Sequence, residues 1–303
     1  MRRFEPVLEA EAPAAVLVVG DVNSTIACAL VAAKQGVAVI HVEAGLRSYD
    51  RGMPEEINRV LTDQLSDLLF LTEASARDNL LREGIAEERI HFVGNVMIDT
   101  LLGHLSRAVP AGQTLAGVGR EAFLQDERGY AVLTLHRPSN VDDPAVFKRL
   151  LGVLREISAR TPVVFPMHPR TRARARDMGL MELLDSPDIL ILEPLGYLEL
   201  LGLMAKARLV LTDSGGLQEE TTALGVPCIT LRENTERPIT VSQGTNTIVG
   251  TDAARIRAAV EETLAGGGKR GRVPELWDGQ AAQRIKQVIL DWYARNGGAR
   301  AVS

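Results

Sequence analysis

Short apolar runs bounded by Gly, Asp or Pro alternate along this chain with longer stretches of helical periodicity. AVLVVGD is followed by STIACALVAAKQG, then VAVIHVEAG, PEEINRVLTDQL and DLLFLT. The same grammar resumes at YAVLTLH and runs through TPVVFPMH, DILILEP, ARLVLTD and GVPCITL. Strand-length apolar runs separated by helices are the mark of right-handed βαβ units on a parallel sheet, so the pattern predicts an α/β protein. The first half offers strands at 15–20, 37–43 and 67–71 and a weaker one at 90–93; the second offers at least five. Gly, Pro and Gln thicken between Gly94 and Gly119, which places the change of domain there. The expected organisation is an N-terminal domain over 1–105 and a C-terminal domain over 106–279. The amphipathic helix at 280–296 is expected to pack back on the first domain. GGGKRG at 266–271 reads as a flexible loop.

Composition narrows the function. A length of 303 residues, 46% hydrophobic and 24% charged, suits two ordinary globular domains. The net charge of -5 speaks against a general nucleic-acid binder, which needs a basic face, so a phosphate-bearing ligand must be met by local arginines. Cys28 and Cys228 stand far apart in apolar surroundings and read as core residues of a reducing compartment. The apolar runs are strand length, too short for a membrane span, and the opening MRRFEPVLEAEAPAA lacks a signal-peptide apolar region. The expectation is a cytoplasmic protein with neither membrane nor nucleic-acid partner. There is no P-loop, CxxC or HExxH, so neither NTP hydrolysis nor a metal is expected.

Open parallel sheets bind ligands beyond the carboxyl ends of their strands, and polar residues recur at those places here. They are Asp21, His41 with Glu43, His136 with Arg137, His168, Asp213 to Gly216, and Arg237. Ser214, Gly215 and Gly216 before a helix make a phosphate cradle, because glycines let backbone N–H groups approach and the helix start is positive. The same residues also serve as a tight turn with Ser214 as N-cap. Glu219 or Glu220 can grip a ribose or merely complement the helix dipole. Glu236-Arg237-Pro238 reads as an exposed loop whose guanidinium matches phosphate oxygens. Glu55 and Glu56 follow Pro54 at a helix start, and by the strand period of two His41 and Glu43 share a side. Carboxylates with a histidine make a plausible acid/base set for chemistry on a sugar.

GDVNST, HVEAGLRSYDRGMPEEINR, GNVMIDT, LTLHRPSNVD, FPMHPR and TDSGGLQEETTALGVPCITLRENTERP, followed by GTN, occur in order between about residues 5 and 295. The chain thereby resembles the non-hydrolysing UDP-N-acetylglucosamine 2-epimerases. The resemblance implies a GT-B fold, two Rossmann-like doubly wound domains with the active site in the cleft. It implies interconversion of UDP-N-acetylglucosamine and UDP-N-acetylmannosamine for surface polysaccharides, through elimination of UDP to 2-acetamidoglucal, with no nicotinamide or metal cofactor. It further implies a homodimer, Asp21, Glu43, Glu55 and His136 as catalytic groups, and Arg137, His168, Ser214, Gly215, Gly216, Glu220 and Arg237 as the UDP site. Two features depart from the family pattern. No Gly-Thr-Arg-Pro-Glu loop precedes Asp21, which predicts a first domain short of about two βα units, roughly 60 residues, with an exposed strand edge. HRPSN stands where His-Arg-Arg-Glu-Asn is commoner, removing a charged pair beside His136. An epimerase of a modified UDP-amino sugar, a hydrolysing epimerase, a GT-B glycosyltransferase and an impaired UDP-sugar-binding fragment remain alternatives.

Overall fold

The computed structural model describes residues 1–296. The chain divides into two compact units, Met1–Asp99 with the segment from Glu275 onward, and Thr100–Pro274.

In the first unit β1 (Ala15–Val19), β2 (Ala38–Val42), β3 (Leu68–Leu71) and β4 (Ile90–Phe92) form a parallel sheet in the order 1-2-3-4. Each strand pairs with its sequence neighbour, as in Ala15 with Ala38 and Ile40 with Leu68. Runs of Val, Ile and Leu suit strands covered on both faces. Thus Ile40, Val42, Leu68 and Phe70 pack on one face and Leu69 and Leu71 on the other. β1 is the edge strand, and its Leu17 and Val19 are each 47% exposed. The helix Ala281–Asn296 places Ile285 in the cluster of Ile40, Val42, Leu68, Phe70 and Val93. Its approach is pinned by Trp277, whose indole N–H donates to the Thr72 carbonyl at 2.9 Å. Gly94 is required here: a Cβ would lie 2.1 Å from the Leu276 carbonyl oxygen, and its φ is +90°.

The second unit holds β5 (Ala131–Thr134), β6 (Val163–Pro166), β7 (Ile189–Leu192), β8 (Leu209–Thr212), β9 (Cys228–Thr230) and β10 (Asn246–Ile248). Their order is 10-9-8-5-6-7, a doubly wound parallel sheet whose winding reverses between β5 and β8. Alternate residues feed two cores: Ala131, Leu133, Val163, Phe165, Leu209 and Leu211 one, Val132, Val164 and Val210 the other. Cys228 is buried, which pushes its thiol up to about 11, while Cys28 is half-buried; neither is in a disulfide. The tract expected to be a flexible loop is anchored to its neighbours. Arg272 N–H donates to the Gln243 carbonyl at 2.7 Å, and the Lys269 ammonium donates to the Val241 carbonyl.

Candidate functional site

The polar residues that follow strands lie at strand carboxyl ends in both units. In the first, Asp21 follows β1 and Glu43 follows β2, and Val19 pairs with Val42. The Glu43 carboxylate lies over the β1 end, with Oε2 3.8 Å from where a Cβ on Gly20 would stand. Glu43 itself adopts φ +68°, a left-handed conformation that costs a non-glycine residue about 1 to 2 kcal/mol. Regular alternation along β2 therefore ends at Val42, and both His41 and Glu43 reach the Gly20 turn beyond β1. His41 is fully buried, its Nδ1 2.6 Å from Asp63 Oδ1 and its Nε2 2.9 Å from the Gly20 carbonyl.

The helix Pro54–Leu65 frames this end of the sheet. Its polar side is the buried one: Glu56, Arg59, Thr62 and Asp63 are buried, whereas Ile57 and Leu61 are exposed. The Arg59 guanidinium donates to Asp21 Oδ2 at 2.5 and 3.1 Å and to Glu56 Oε2 at 2.7 Å. Asn58 donates to the Asp21 carbonyl at 2.8 Å. Asn58 and Arg59 stand three and four residues after Glu55, so Glu55, at the start of the helix, belongs to the same end as Asp21. The two glutamates after Pro54 thus divide: Glu56 is buried and accepts from the Ser48 and Tyr49 amides at 2.9 and 2.8 Å, while Glu55 is half-buried.

In the second unit the site sits at the reversal between β5 and β8. Thr134 and Thr212, paired across these strands, share a 2.7 Å hydrogen bond. Just beyond, buried Asp213 accepts from the amides of His136 and Arg137 and from Asn140 Nδ2. Its Oδ1 lies 2.9 Å from His136 Nδ1. Burial would raise the Asp213 carboxyl, but the His136 ring and these amides more than offset it and hold the group below the ordinary carboxylate range. The arrangement fixes the imidazole plane through Nδ1 and turns Nε2 away from the carboxylate. Asn140, the Asn of HRPSN, also donates to the Leu231 carbonyl at 2.9 Å, so the short sequence keeps its loop closed without the charged pair. Asp213 stood among the strand-end candidates, but no sequence signal marked it as the partner of His136.

Ser214 occupies the N-cap of the helix Gly215–Leu224, yet its hydroxyl makes no cap hydrogen bond, which leaves the positive helix start for another acceptor. Glycine at 215 has a steric cause: a Cβ would stand 2.6 Å from Glu236 Oε1 and 3.0 Å from Arg237 Nη1. The expectation of an exposed Glu236 is corrected here, because it is 3% exposed and sits between Arg232 at 3.1 Å and Arg237 at 2.8 Å. Burial raises the Glu236 carboxyl, but the two guanidiniums outweigh it and bring the value down to about 2. Arg237 also faces Glu219, with Nε 2.8 Å from Oε2. It is engaged with two carboxylates against the turn. Glu220, by contrast, is hydrogen-bonded to Tyr197; burial, aided by the Glu219 charge, pushes it up to about 7. His168 caps the helix Pro169–Asp177, with Nδ1 accepting from the Arg170 amide, and its ring lies 6.4 Å from that of His136. Thr134, His136, His168, Pro194, Leu195 and Ser214 are among the residues that line a mostly apolar cavity of about 270 Å³.

The family model described as UDP-N-acetylglucosamine 2-epimerase matches residues 1–290. The UDP-N-acetylglucosamine 2-epimerase of Methanocaldococcus jannaschii is 45% identical over 289 residues, 94% of this chain and 78% of that protein. The UDP-2,3-diacetamido-2,3-dideoxy-D-glucuronate 2-epimerase of Pseudomonas aeruginosa is 40% identical over 297 residues, 95% of this chain and 78% of that one. A crystal structure of the M. jannaschii UDP-GlcNAc 2-epimerase in complex with UDP-GlcNAc and UDP superposes with a TM-score of 0.84 at 44% identity, covering 95% of this chain and 79% of that chain. With two parallel α/β units, an uncapped glycine-rich helix start at the winding reversal of one and clustered carboxylates in the other, this chain belongs to the UDP-N-acetylglucosamine 2-epimerase family of isomerases.

Proposed function

We propose that the chain interconverts UDP-N-acetylglucosamine and UDP-N-acetylmannosamine by removing the carbon-2 proton, expelling UDP from carbon 1, and returning UDP with a proton on the opposite face. Carbon 2 is not adjacent to a carbonyl, so its proton is weakly acidic, and stabilising the departing diphosphate is the large electrostatic contribution such a route needs. The second unit carries that task. The Gly215 and Gly216 amides and the Ser214 hydroxyl at the uncapped helix start receive the diphosphate, the Ser214 amide being held by Thr212 Oγ1 at 2.9 Å, with the Arg137 guanidinium and His136 Nε2 as further donors. Glu220 accepts from the ribose hydroxyls, and the apolar wall that Pro194 and Leu195 give the cavity takes the uracil. His168 borders the same cavity. Arg237, already engaged with Glu219 and Glu236, acts on UDP through the Gly215 turn it braces. In the first unit Asp21, Glu43 and Glu55 supply proton acceptors and donors for the two faces of carbon 2.

The observation that carries this reading is the His136–Asp213 pair beside the uncapped Gly215 helix. The test is incubation of the full chain with UDP-N-acetylglucosamine in deuterated water, followed by proton NMR. Deuterium at carbon 2 together with UDP-N-acetylmannosamine is the expected result. Free N-acetylmannosamine with UDP would indicate hydrolysis instead, and no change at carbon 2 would overturn the proposal. The P. aeruginosa relative favours a second reading, action on a 2,3-diacetamido uronic acid nucleotide; the same exchange run on that substrate separates the two.

A further inference from the structure

Glu43, the proposed proton-transfer group with left-handed backbone, is flanked by residues that converge on one carboxylate. Asp63, fully buried on the helix Pro54–Leu65, places Oδ1 2.6 Å from His41 Nδ1, two residues before Glu43. Its Oδ2 accepts from the Gly45 amide at 3.1 Å, two residues after Glu43, and lies 2.7 Å from Arg47 Nη2. Arg47 is clamped from its other side by Glu83 at 2.6 and 2.8 Å. Across the ring, His41 Nε2 is 2.9 Å from the carbonyl of Gly20, the residue before Asp21. The Gly20 carbonyl can only accept, so His41 Nε2 carries the hydrogen it donates there, while Nδ1 faces Asp63. One carboxylate therefore bridges the end of β1, both flanks of the strained residue after β2, and the helix that bears Glu55.

We infer that Asp63 is a positioning residue for proton transfer. Acting through His41 and the Gly45 amide, it holds Glu43 in its left-handed conformation and sets the β1 end with Asp21 against it. A left-handed glutamate persists only where its surroundings over-determine it, and Asp63 is the group that fixes the chain on both sides. The partners of Asp63 named above, His41, Gly45 and Arg47, all belong to the first unit, whereas the proposed UDP contacts belong to the second, so Asp63 bears on chemistry and not on UDP affinity. The inference rests on the proposed role of Glu43.

The test compares Asp63→Asn, Glu43→Gln and the double variant in the full chain, reading carbon-2 deuterium exchange, KM for UDP-N-acetylglucosamine and UDP affinity. Asp63→Asn keeps the shape and an acceptor for Gly45 but removes the carboxylate charge set between His41 and Arg47. The expected result is a fall in kcat of about 100-fold, the loss a displacement near 1 Å produces, with KM and UDP Kd within about twofold of the unmutated chain. In the Glu43→Gln background, Asp63→Asn should add little, because the group it positions is gone. An undiminished kcat in Asp63→Asn, or losses that multiply in full in the double variant, overturns the positioning role while leaving Glu43 in place. Undiminished exchange in Glu43→Gln, or none in the unmutated chain, overturns the catalytic reading and this inference with it. Should Asp63→Asn fail to fold, His41→Gln breaks the same bridge from the other end and must show the same split between kcat and KM.

Discussion

The two units make their polar sites by different means. In the Thr100–Pro274 unit the topology does most of it: the winding reverses between β5 and β8, a helix starts there with its cap hydroxyl unused, and Asp213 closes the gap with backbone amides. In the first unit the strands run 1-2-3-4 with no reversal, and position comes from buried charge: His41, Arg47, Glu56, Arg59 and Asp63 are each under 5% exposed. A reversal creates a site from main-chain geometry that many sequences satisfy. A buried ionic web creates one from side chains, and every member left without its partner is costly.

The contrast can be broken from either side. The largest expected effect is at His136: His136→Asn should lower carbon-2 exchange about 1,000-fold while UDP affinity, read by calorimetry, weakens by no more than a few-fold, because the Gly215 and Gly216 amides and Arg137 remain as diphosphate donors. Next comes Arg59→Met, which strips the charge from between Asp21 and buried Glu56. It should cost about 3 kcal/mol of stability, visible as earlier urea unfolding of first-unit amides in hydrogen exchange while second-unit amides hold. Gly215→Ala drives a methyl into Glu236 and Arg237; we expect about 1 to 3 kcal/mol of strain and UDP binding at least tenfold weaker. A wild-type Kd there would show that the turn does not shape the phosphate cradle.

The smallest effect is in pH. Glu220 titrates near 7 in the folded chain, above the ordinary carboxylate value of 4.5, so the folded state holds a proton that the unfolded state has released. Its contribution to stability is greatest below the ordinary value and fades as pH rises through about 7. Ribose hydroxyls favour the ionised form, so UDP-N-acetylglucosamine binding to the His136→Asn chain should tighten a few-fold from pH 6 to pH 8. Adding Glu220→Gln should flatten that profile. Glu236 runs the opposite way: brought down to about 2, it contributes stability above the ordinary value that is lost as pH falls towards 2.

Much of this was legible before any coordinates. Parallel strands covered on both faces read as unbroken apolar runs, which is why 15–20, 37–43 and 67–71 fall on Ala15–Val19, Ala38–Val42 and Leu68–Leu71. The carboxyl-end rule located Asp21, Glu43, His136 and Asp213 without side-chain geometry. The buried web was not legible. PEEINRVLTDQL presents acids and an arginine at helical spacing, the usual signature of a solvated face, yet here that face is buried and Ile57 and Leu61 look outward. Nor does a sequence period reveal that Glu43 turns left-handed; the Gly45 amide that accompanies the turn finds its acceptor 18 residues later, in Asp63. Glu236 and Arg237 looked like an exposed loop because Glu219, the partner of Arg237, belongs to a separate helix, and the pairing of Glu236 with Arg232 four residues earlier follows from the fold of the loop and not from a helical period.

The order of pairing also has a consequence for how the molecule assembles. Each strand of the first sheet pairs with the next one along the chain, so that sheet can zip up from short closures as the polypeptide lengthens. β5 must wait for β8, whose Thr212 lies 78 residues beyond Thr134. His136 and Asp213 flank that slowest closure, so the second unit gains its histidine–carboxylate pair only once its most distant strands have met.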